Sequence, residues 1–137
     1  MRILIVEDEP LIAWMLADSL EDAGHEVTGR AATMAEALAL CEAAAPPELA
    51  LLDIKLRDGS NGVDVARALL ERWGVRSIVT SAHVTEARRA KGVALGCIRK
   101  PYRPGTVLRG VEMAREVMDG GTPRRVPAGL ELFSATG

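Results

Sequence analysis

Aromatic residues are scarce in this chain of 137 residues, which contains one Phe, one Tyr and two Trp. Proteins that bind single-stranded nucleic acids usually stack bases on aromatic side chains, so the composition argues against that function. Nearly half of the residues are apolar, and most of these are aliphatic. Length and apolar content predict one domain with an aliphatic core and leave no room for a second folded domain.

Strong net charge, long apolar runs and paired cysteines are also absent. The formal net charge of −2 gives no general attraction to nucleic acids or anionic lipids. No apolar run reaches the roughly 20 residues of a membrane-spanning helix, and the N-terminus lacks the apolar region of a signal peptide. Cys41 and Cys97 lack the spacing of a metal site or a disulfide framework. We therefore expect a cytoplasmic protein without membrane insertion, whose partner is another protein.

Short apolar runs predict the strands of the fold. The runs at residues 3–6, 49–52 and 78–80 are too short for helices and do not alternate with polar residues. Such runs are typical of parallel strands that are buried on both faces. A weaker strand is predicted at residues 25–29, and a fifth strand precedes Lys100.

Segments with helical periodicity lie between these runs. The first begins near Pro10 and ends before Gly24. Its predicted apolar face consists of Ile12, Met15, Leu16, Leu20 and Ala23. Further helices are predicted at residues 33–45, 63–73, 85–93 and 104–118. The segment at 85–93 is polar and basic, so we expect it to be the least firmly packed. Alternating strands and helices predict a parallel sheet with helices on both faces.

The C-terminal residues 121–137 contain prolines, glycines and two adjacent arginines but no periodicity, which predicts an irregular extension without an output domain. Four apolar residues in it are Val126, Leu130, Leu132 and Phe133. A disordered segment would not need them, so we expect the extension to cover part of the domain or to mediate pairing.

Polar residues whose side chains can bind a metal ion or react follow four of the predicted strands. Glu7 and Asp8 follow the first, Asp53 the third, Ser81 the fourth and Lys100 the fifth. Ligands of open parallel sheets bind beyond the carboxyl ends of the strands, so these side chains should share one edge. Each alone could be a helix cap or a turn residue. Together, neighbouring carboxylates repel one another unless a cation is supplied, and Mg²⁺ prefers such oxygen ligands.

This ordered set of residues resembles the response-regulator receiver domain, and the likeness extends from Met1 to about Gly120. The resemblance implies an α/β fold with a doubly wound, five-stranded parallel sheet of flavodoxin-like strand order 2-1-3-4-5 and helices on both faces. It assigns residues 1–120 to the receiver domain. It also implies a cis peptide bond between Lys100 and Pro101.

The resemblance further implies a phosphoacceptor role for Asp53. The donor would be a phosphohistidine on a sensor histidine kinase or a histidine phosphotransfer protein. Asp8, Asp53 and the carbonyl group of Lys55 would ligate Mg²⁺, and Glu7 would assist. A carboxylate is a competent nucleophile toward phosphorus, which agrees with this assignment.

Other roles carried over from the family concern the signal that follows phosphorylation. Ser81 and Lys100 would contact the phosphoryl oxygens, and Lys55 and His83 would flank them and modulate hydrolysis. Ser81 would also begin the conformational switch. The family usually places an aromatic residue of this switch three positions before the lysine, but this chain has Cys97 there.

The loop after Asp53 also departs from the family pattern. Arg57 replaces a common proline, and about one extra residue precedes Gly62. Loop geometry is therefore expected to differ.

These observations predict a stand-alone response regulator that is not an enzyme with separate substrate turnover. It would signal by phosphorylation-dependent protein binding or act as a phosphate relay or sink, without direct DNA binding. A homodimer through the fourth helix, fifth strand and fifth helix is a further expectation. The alternative is a Mg²⁺-dependent aspartyl-phosphate phosphohydrolase, whose nucleophile would normally follow the first strand.

Overall fold

The structure of the protein, a computed structural model, describes residues 1–133 apart from the side chain of Val84. Its centre is one six-stranded sheet of order β2-β1-β3-β4-β5-β6. The strands are β1 (Arg2–Val6), β2 (Glu26–Ala31), β3 (Leu49–Asp53), β4 (Arg76–Ser81), β5 (Gly96–Arg99) and β6 (Leu130–Leu132). Strands β1 to β5 are parallel and β6 is antiparallel to β5. The predicted α/β fold and the strand order 2-1-3-4-5 are confirmed.

The part of the chain that the structure describes contains five α-helices between the strands. They are α1 (Pro10–Asp22), α2 (Met34–Ala43), α3 (Gly62–Trp73), α4 (Val84–Ala87) and α5 (Pro104–Met118). A 3-10 turn, Arg88–Ala90, follows α4 directly. Among the described residues, no helix combines the length and the apolar content needed to cross a membrane.

The core lies on both faces of the sheet, because successive strand residues point to opposite sides. In β1, Ile3 and Ile5 pack toward α1 and α5, whereas Leu4 and Val6 pack toward α2 and α3. All four are at most 1% exposed. Burying each such side chain contributes roughly 1.5–3 kcal/mol, which explains why these short apolar runs specify central strands.

Local signals fix the ends of two helices. The Thr33 hydroxyl accepts a hydrogen bond from the backbone N–H of Glu36 at 3.2 Å, and the Glu36 carboxylate accepts one from Ala32. This reciprocal cap begins α2, as the spacing of Thr33 and Glu36 predicts. Helix α3 ends at Trp73, and the positive φ of 68° at Gly74 turns the chain so that the Val75 N–H donates to the Leu69 carbonyl at 3.2 Å.

Two helix predictions need correction. Met15 was predicted on the buried face of α1, but it is 36% exposed, and Ala13 and Ala17 are buried instead. The predicted helix at residues 85–93 is one short α-helix and a 3-10 turn, which ends before Gly92 with its positive φ. Few apolar side chains are available there, although Ala87 and Ala90 are fully buried.

The strand β6 is the main addition to the predicted fold. Residues 121–137 were predicted to be irregular, and this is wrong for Leu130–Leu132, which pair with β5. Three residues are too few for a recognisable period, so the strand forms only because the edge of β5 is available to it. The prediction for residues 134–137 lies outside the described residues.

Candidate functional site

A cavity of about 370 Å³ opens at the carboxyl ends of β1, β3, β4 and β5. Parallel strands bring these ends to one edge of the sheet, and the helices that follow leave the edge accessible. Predicted site residues that line the cavity are Asp8, Asp53, Lys55, Ser81, His83 and Lys100. Glu86, which was not predicted, also lines it.

Asp53 is the last residue of β3 and lies at the centre of the site. It is only 7% exposed, yet it lines the open cavity. The ammonium of Lys100 lies 2.8 Å from its Oδ2, and the backbone N–H of Lys55 donates to its Oδ1 at 3.2 Å. The peptide bond between Lys100 and Pro101 is cis, as the resemblance implied. Hydrogen bonds therefore fix both carboxylate oxygens of Asp53, and one of them is made with a positively charged group.

Three carboxylates converge next to that charge. One oxygen each from Glu7, Asp8 and Asp53 lies within 4.8 Å of the others. The pKa of Glu7 is raised to about 7, first by burial and then by a hydrogen bond with Asp53 and its negative charge, while the charge of Lys100 opposes the shift. Lys100 alone cannot balance the negative charge of three ionised carboxylates. Clustered carboxylate oxygens fit Mg²⁺, a hard cation that supplies this charge.

Asp8 has a partner that the sequence analysis did not predict. The backbone N–H of Arg57 donates to Asp8 Oδ2 at 2.5 Å, and Arg57 Nε lies 3.9 Å from the same oxygen. A proline, common at this position in the family that the sequence resembles, would have no N–H to donate. The guanidinium therefore stands beside a carboxylate of the acidic cluster.

The loop between β3 and α3 closes tightly beneath Asp53. A Cβ atom on Gly62 would lie 2.4 Å from the Asp53 carbonyl oxygen, so only glycine fits there. The Gly62 N–H donates to the Ile54 carbonyl at 2.8 Å, and a turn at Gly59 with φ of 85° takes up the intervening residues. The loop therefore returns to the end of β3 at Gly62, while its residues Ile54 to Arg57 line the cavity.

Ser81 ends β4 and is 2% exposed. Its hydroxyl donates to the carbonyl of His83 at 2.9 Å and accepts from the His83 N–H at 3.0 Å. The hydroxyl is therefore engaged in a local turn at the start of α4. His83 itself is exposed on the cavity wall.

Lys55 and Glu86 connect the two sides of the cavity. Lys55 Nζ lies 3.1 Å from Glu86 Oε1, so the loop after β3 is joined to α4. Glu86 Oε2 is buried and has no hydrogen-bond partner among the described residues. Sequence reasoning missed Glu86 because its contribution depends on where α4 lies, which no local pattern shows.

Cys97 lies in the core on the α2 and α3 side of the sheet rather than on the cavity wall. It is 5% exposed, and its pKa is raised by burial and by the charge of Glu131. Tyr102 packs on the opposite face, where burial and the charges of Glu7 and Asp53 raise its pKa. Tyr102 therefore lies within electrostatic reach of the site, whereas Cys97 is buried on the other face of the sheet.

A family profile described as the response regulator receiver domain matches residues 3–112. The chain belongs to this family. It is a receiver domain of two-component signalling, a class of signalling regulators that typically bind Mg²⁺ through acidic residues.

Known receivers show the extent of the similarity. The Phyllosphere-induced regulator PhyR of Methylorubrum extorquens is 38% identical over 82% of this chain and 43% of its own length. Chemotaxis protein CheY of Thermotoga maritima is 30% identical over 78% of this chain and 91% of its own length. The solution structure of the PhyR receiver domain of Erythrobacter litoralis has a TM-score of 0.73 and 32% identity, with 91% of this chain and 95% of that one covered. The chain spans about half the length of the curated relatives it first matches.

A second, apolar cavity of about 320 Å³ adjoins the receiver site. Ala82 and Lys100 line both cavities. The remaining lining residues of the second cavity are Ile12, Met15, Pro101 and Tyr102. On the same helix, Leu11 is 77% exposed and Trp14, which lines a separate cavity between α1 and β2, is 57% exposed. Helix α1 thus presents an apolar surface, here called the α1 surface and made of Leu11, Trp14 and Met15, next to the site.

Proposed function

We propose that Asp53 accepts a phosphoryl group from a phosphohistidine of a sensor histidine kinase or a histidine phosphotransfer protein. The observation that carries this proposal is the placement of Lys100 Nζ 2.8 Å from the Asp53 carboxylate, inside the acidic cluster. Phosphoryl transfer needs mainly positioning and stabilisation of charge, and both are available at this edge of the sheet.

In the transfer step, an oxygen of Asp53 forms a bond to phosphorus while the bond between phosphorus and the donor imidazole nitrogen breaks. Lys100 stabilises the charge on the phosphoryl oxygens. Asp8, Asp53 and the carbonyl group of Lys55 would hold Mg²⁺, with Glu7 assisting. When bound, Mg²⁺ would neutralise negative charge on the transferring group.

Ser81 and three further residues act after transfer in this proposal. The Ser81 hydroxyl leaves the His83 carbonyl and contacts a phosphoryl oxygen, which moves the start of α4. Lys55 and His83, on the cavity wall, modulate the attack of water on the acyl phosphate. Cys97 occupies the usual aromatic position of the switch, so the response passes through backbone and packing changes rather than through rotation of an aromatic ring.

We also propose that the phosphodonor protein binds the α1 surface. Ala82 and Lys100 line both cavities, so a protein seated on Leu11, Trp14 and Met15 can reach Asp53. Exposed aromatic and aliphatic side chains of this kind are typical of protein interfaces. The protein is then a cytoplasmic response regulator that signals by binding a partner or serves as a relay or sink, without DNA binding.

The test is intact-mass spectrometry after incubation with a small acyl phosphate donor and Mg²⁺. We expect an adduct of one phosphoryl group, which Asp53→Ala abolishes. Asp18→Asn is the matched control, because Asp18 is an exposed acid on α1, away from the site. An adduct that persists in Asp53→Ala would refute the assignment.

Phosphate release by the same two proteins distinguishes the receiver function from the phosphohydrolase alternative. No observation favours the alternative, since the candidate nucleophile follows β3 rather than β1. Steady release of phosphate from a generic phosphomonoester, lost in Asp53→Ala, would nevertheless revive it.

A further inference from the structure

The edge of β5 that faces away from β4 pairs with β6, and its residues leave space for that strand. Gly96 pairs with Leu132, and a Cβ atom on Gly96 would lie 2.5 Å from the carbonyl oxygen of Glu131. The three atoms nearest to that hypothetical atom all belong to Glu131 and Leu132 of β6. A side chain at position 96 would therefore clash first with the backbone of β6.

A second glycine receives the side chain that β6 inserts into the core. Leu130 is 7% exposed and packs with the residues of α5 and the inner strands. A Cβ atom on Gly110 of α5 would lie 3.8 Å from Leu130 Cδ1 and 3.3 Å from Ile98 Cδ1. The small residue at 110 thus leaves room for Leu130 beside Ile98.

Polar contacts at both ends set the register of β6. The Arg99 N–H donates to the Gly129 carbonyl at 2.7 Å, and the Phe133 N–H donates to the Leu95 carbonyl at 2.8 Å. Between them, Arg88 Nε lies 3.7 Å from Glu131 Oε1, which joins β6 to the turn after α4. Residues 129–133, here called the docking segment, therefore match this edge in shape, hydrogen bonding and charge.

The connection from α5 to the docking segment is weakly held. Residues 119–129 contain no helix or strand, and most of them are exposed. The segment runs back along α5, where Arg109 Nη2 contacts the Arg125 carbonyl at 3.5 Å. Eleven extended residues reach up to about 36 Å, whereas α5 with its 15 residues is about 22 Å long. The connection therefore has length to spare.

We infer that the edge of β5 is a strand-docking site, and that the docking segment of a second copy of this chain can occupy it in place of the chain's own. The exchanged strand would make the same contacts in trans that β6 makes in cis. Chain concentration and the length of the connection then decide between monomer and exchanged dimer. While β6 is docked in cis, the edge is closed to other strands.

Shortening the connection tests this inference. Deletion of residues 122–126 leaves six residues between α5 and β6, which reach only about 20 Å. We expect this chain to be a dimer by light scattering at concentrations where the unaltered chain is a monomer. Adding Gly96→Val to the shortened chain should raise the dissociation constant of the dimer by about tenfold or more, because the new side chain blocks the edge.

A peptide measurement provides an independent check. A labelled peptide with the sequence of residues 127–133 should bind the full-length Leu130→Asp variant, whose own strand is released, more tightly than the unaltered chain. Gly96→Val in that variant should abolish binding, and far-UV circular dichroism verifies that each variant is folded. A shortened chain that stays monomeric, dimers unaffected by Gly96→Val, or a released variant without affinity for the peptide would each overturn the inference.

Discussion

Lys100 Nζ lies 2.8 Å from Oδ2 of Asp53, which belongs to a cluster of three carboxylates. Its side chain is 26% exposed and that of Asp53 only 8%, so solvent screens the pair incompletely. We expect Lys100→Gln to lower the free energy of unfolding by about 1–3 kcal/mol without Mg²⁺, because a mostly buried carboxylate loses its partner. Urea unfolding in a chelating buffer measures this.

The control for Lys100→Gln is Lys91→Gln, which removes an exposed lysine. We expect this change to stay within about 0.5 kcal/mol. Added Mg²⁺ should recover part of the loss in Lys100→Gln if the acidic cluster binds the ion. Equal losses in both variants would contradict the electrostatic role of Lys100.

Glu7 predicts a pH dependence of Mg²⁺ binding. Its pKa is raised to about 7, first by burial and then by Asp53, so a proton competes with the cation below that pH. The apparent affinity should therefore rise between pH 5.5 and 7.5, by up to about tenfold per pH unit, and level off above. Calorimetric titration at several pH values measures it, and a curve that is flat over this range would refute the prediction.

The same shift predicts the stability of the metal-free protein. The ordinary pKa of 4.5 applies to the unfolded chain, so the folded state holds the Glu7 proton more tightly. Between pH 4.5 and 7 the unfolded state has released that proton, and rising pH therefore favours unfolding. Glu7→Gln should remove this loss of stability between pH 5 and 7. Urea midpoints for both proteins across that range are the measurement.

Arg57 predicts a salt-dependent effect on the metal site. Its Nε lies 3.9 Å from Asp8 Oδ2, and this positive charge repels a bound cation. Arg57→Ala keeps the backbone N–H and should tighten Mg²⁺ binding several-fold at low ionic strength, with a smaller gain in high salt. Arg67→Ala, which removes an exposed arginine of α3, should change the affinity little. Equal effects of the two variants would show that Arg57 acts only through the total charge.

Gly62 predicts a steric effect on the site. A Cβ there would meet the Asp53 carbonyl oxygen at 2.4 Å and the Ile54 Cα at 2.7 Å, both of which are backbone atoms. Gly62→Ala should therefore cost about 1–3 kcal/mol of unfolding free energy. Gly105→Ala in α5 meets nothing within 4 Å and should be neutral or stabilising by up to about 1 kcal/mol. Similar unfolding midpoints for the two variants would refute the steric argument.

The sequence predicted the central strands correctly, because a strand buried on both faces of the sheet must consist of apolar residues. The apolar runs in β1, β3 and β4 end at polar residues, and parallel topology alone then predicts that Asp8, Asp53 and Ser81 share an edge. The apolar residues of the extension predicted that it covers part of the domain, but the pairing of Leu130–Leu132 with β5 could not be predicted, because its signal is divided between Gly96 and Gly110, far away in the chain.

Features of the site that depend on tertiary placement were likewise beyond the sequence. Glu86 lies 3.1 Å from Lys55 because the fold places α4 beside the loop after β3, and no local pattern shows that placement. Met15 is exposed because α1 buries alanines at 13 and 17 against the sheet, which shifts the apolar face predicted from the larger side chains. Small buried residues carry little weight in a hydrophobic pattern.

Ser81 offers a test of the proposed response that is separate from the transfer itself. Its hydroxyl is bonded to the backbone of His83, so a move toward a phosphoryl group must release the start of α4. We expect Ser81→Ala to be phosphorylated on Asp53 while losing the phosphorylation-dependent change in amide hydrogen exchange of residues 82–90. Ser77→Ala is the matched control in the same strand. Its hydroxyl is buried without a partner among the described residues, so removing it should be neutral or stabilising. If Ser81→Ala responded to phosphorylation as fully as Ser77→Ala does, Ser81 would have no part in the switch.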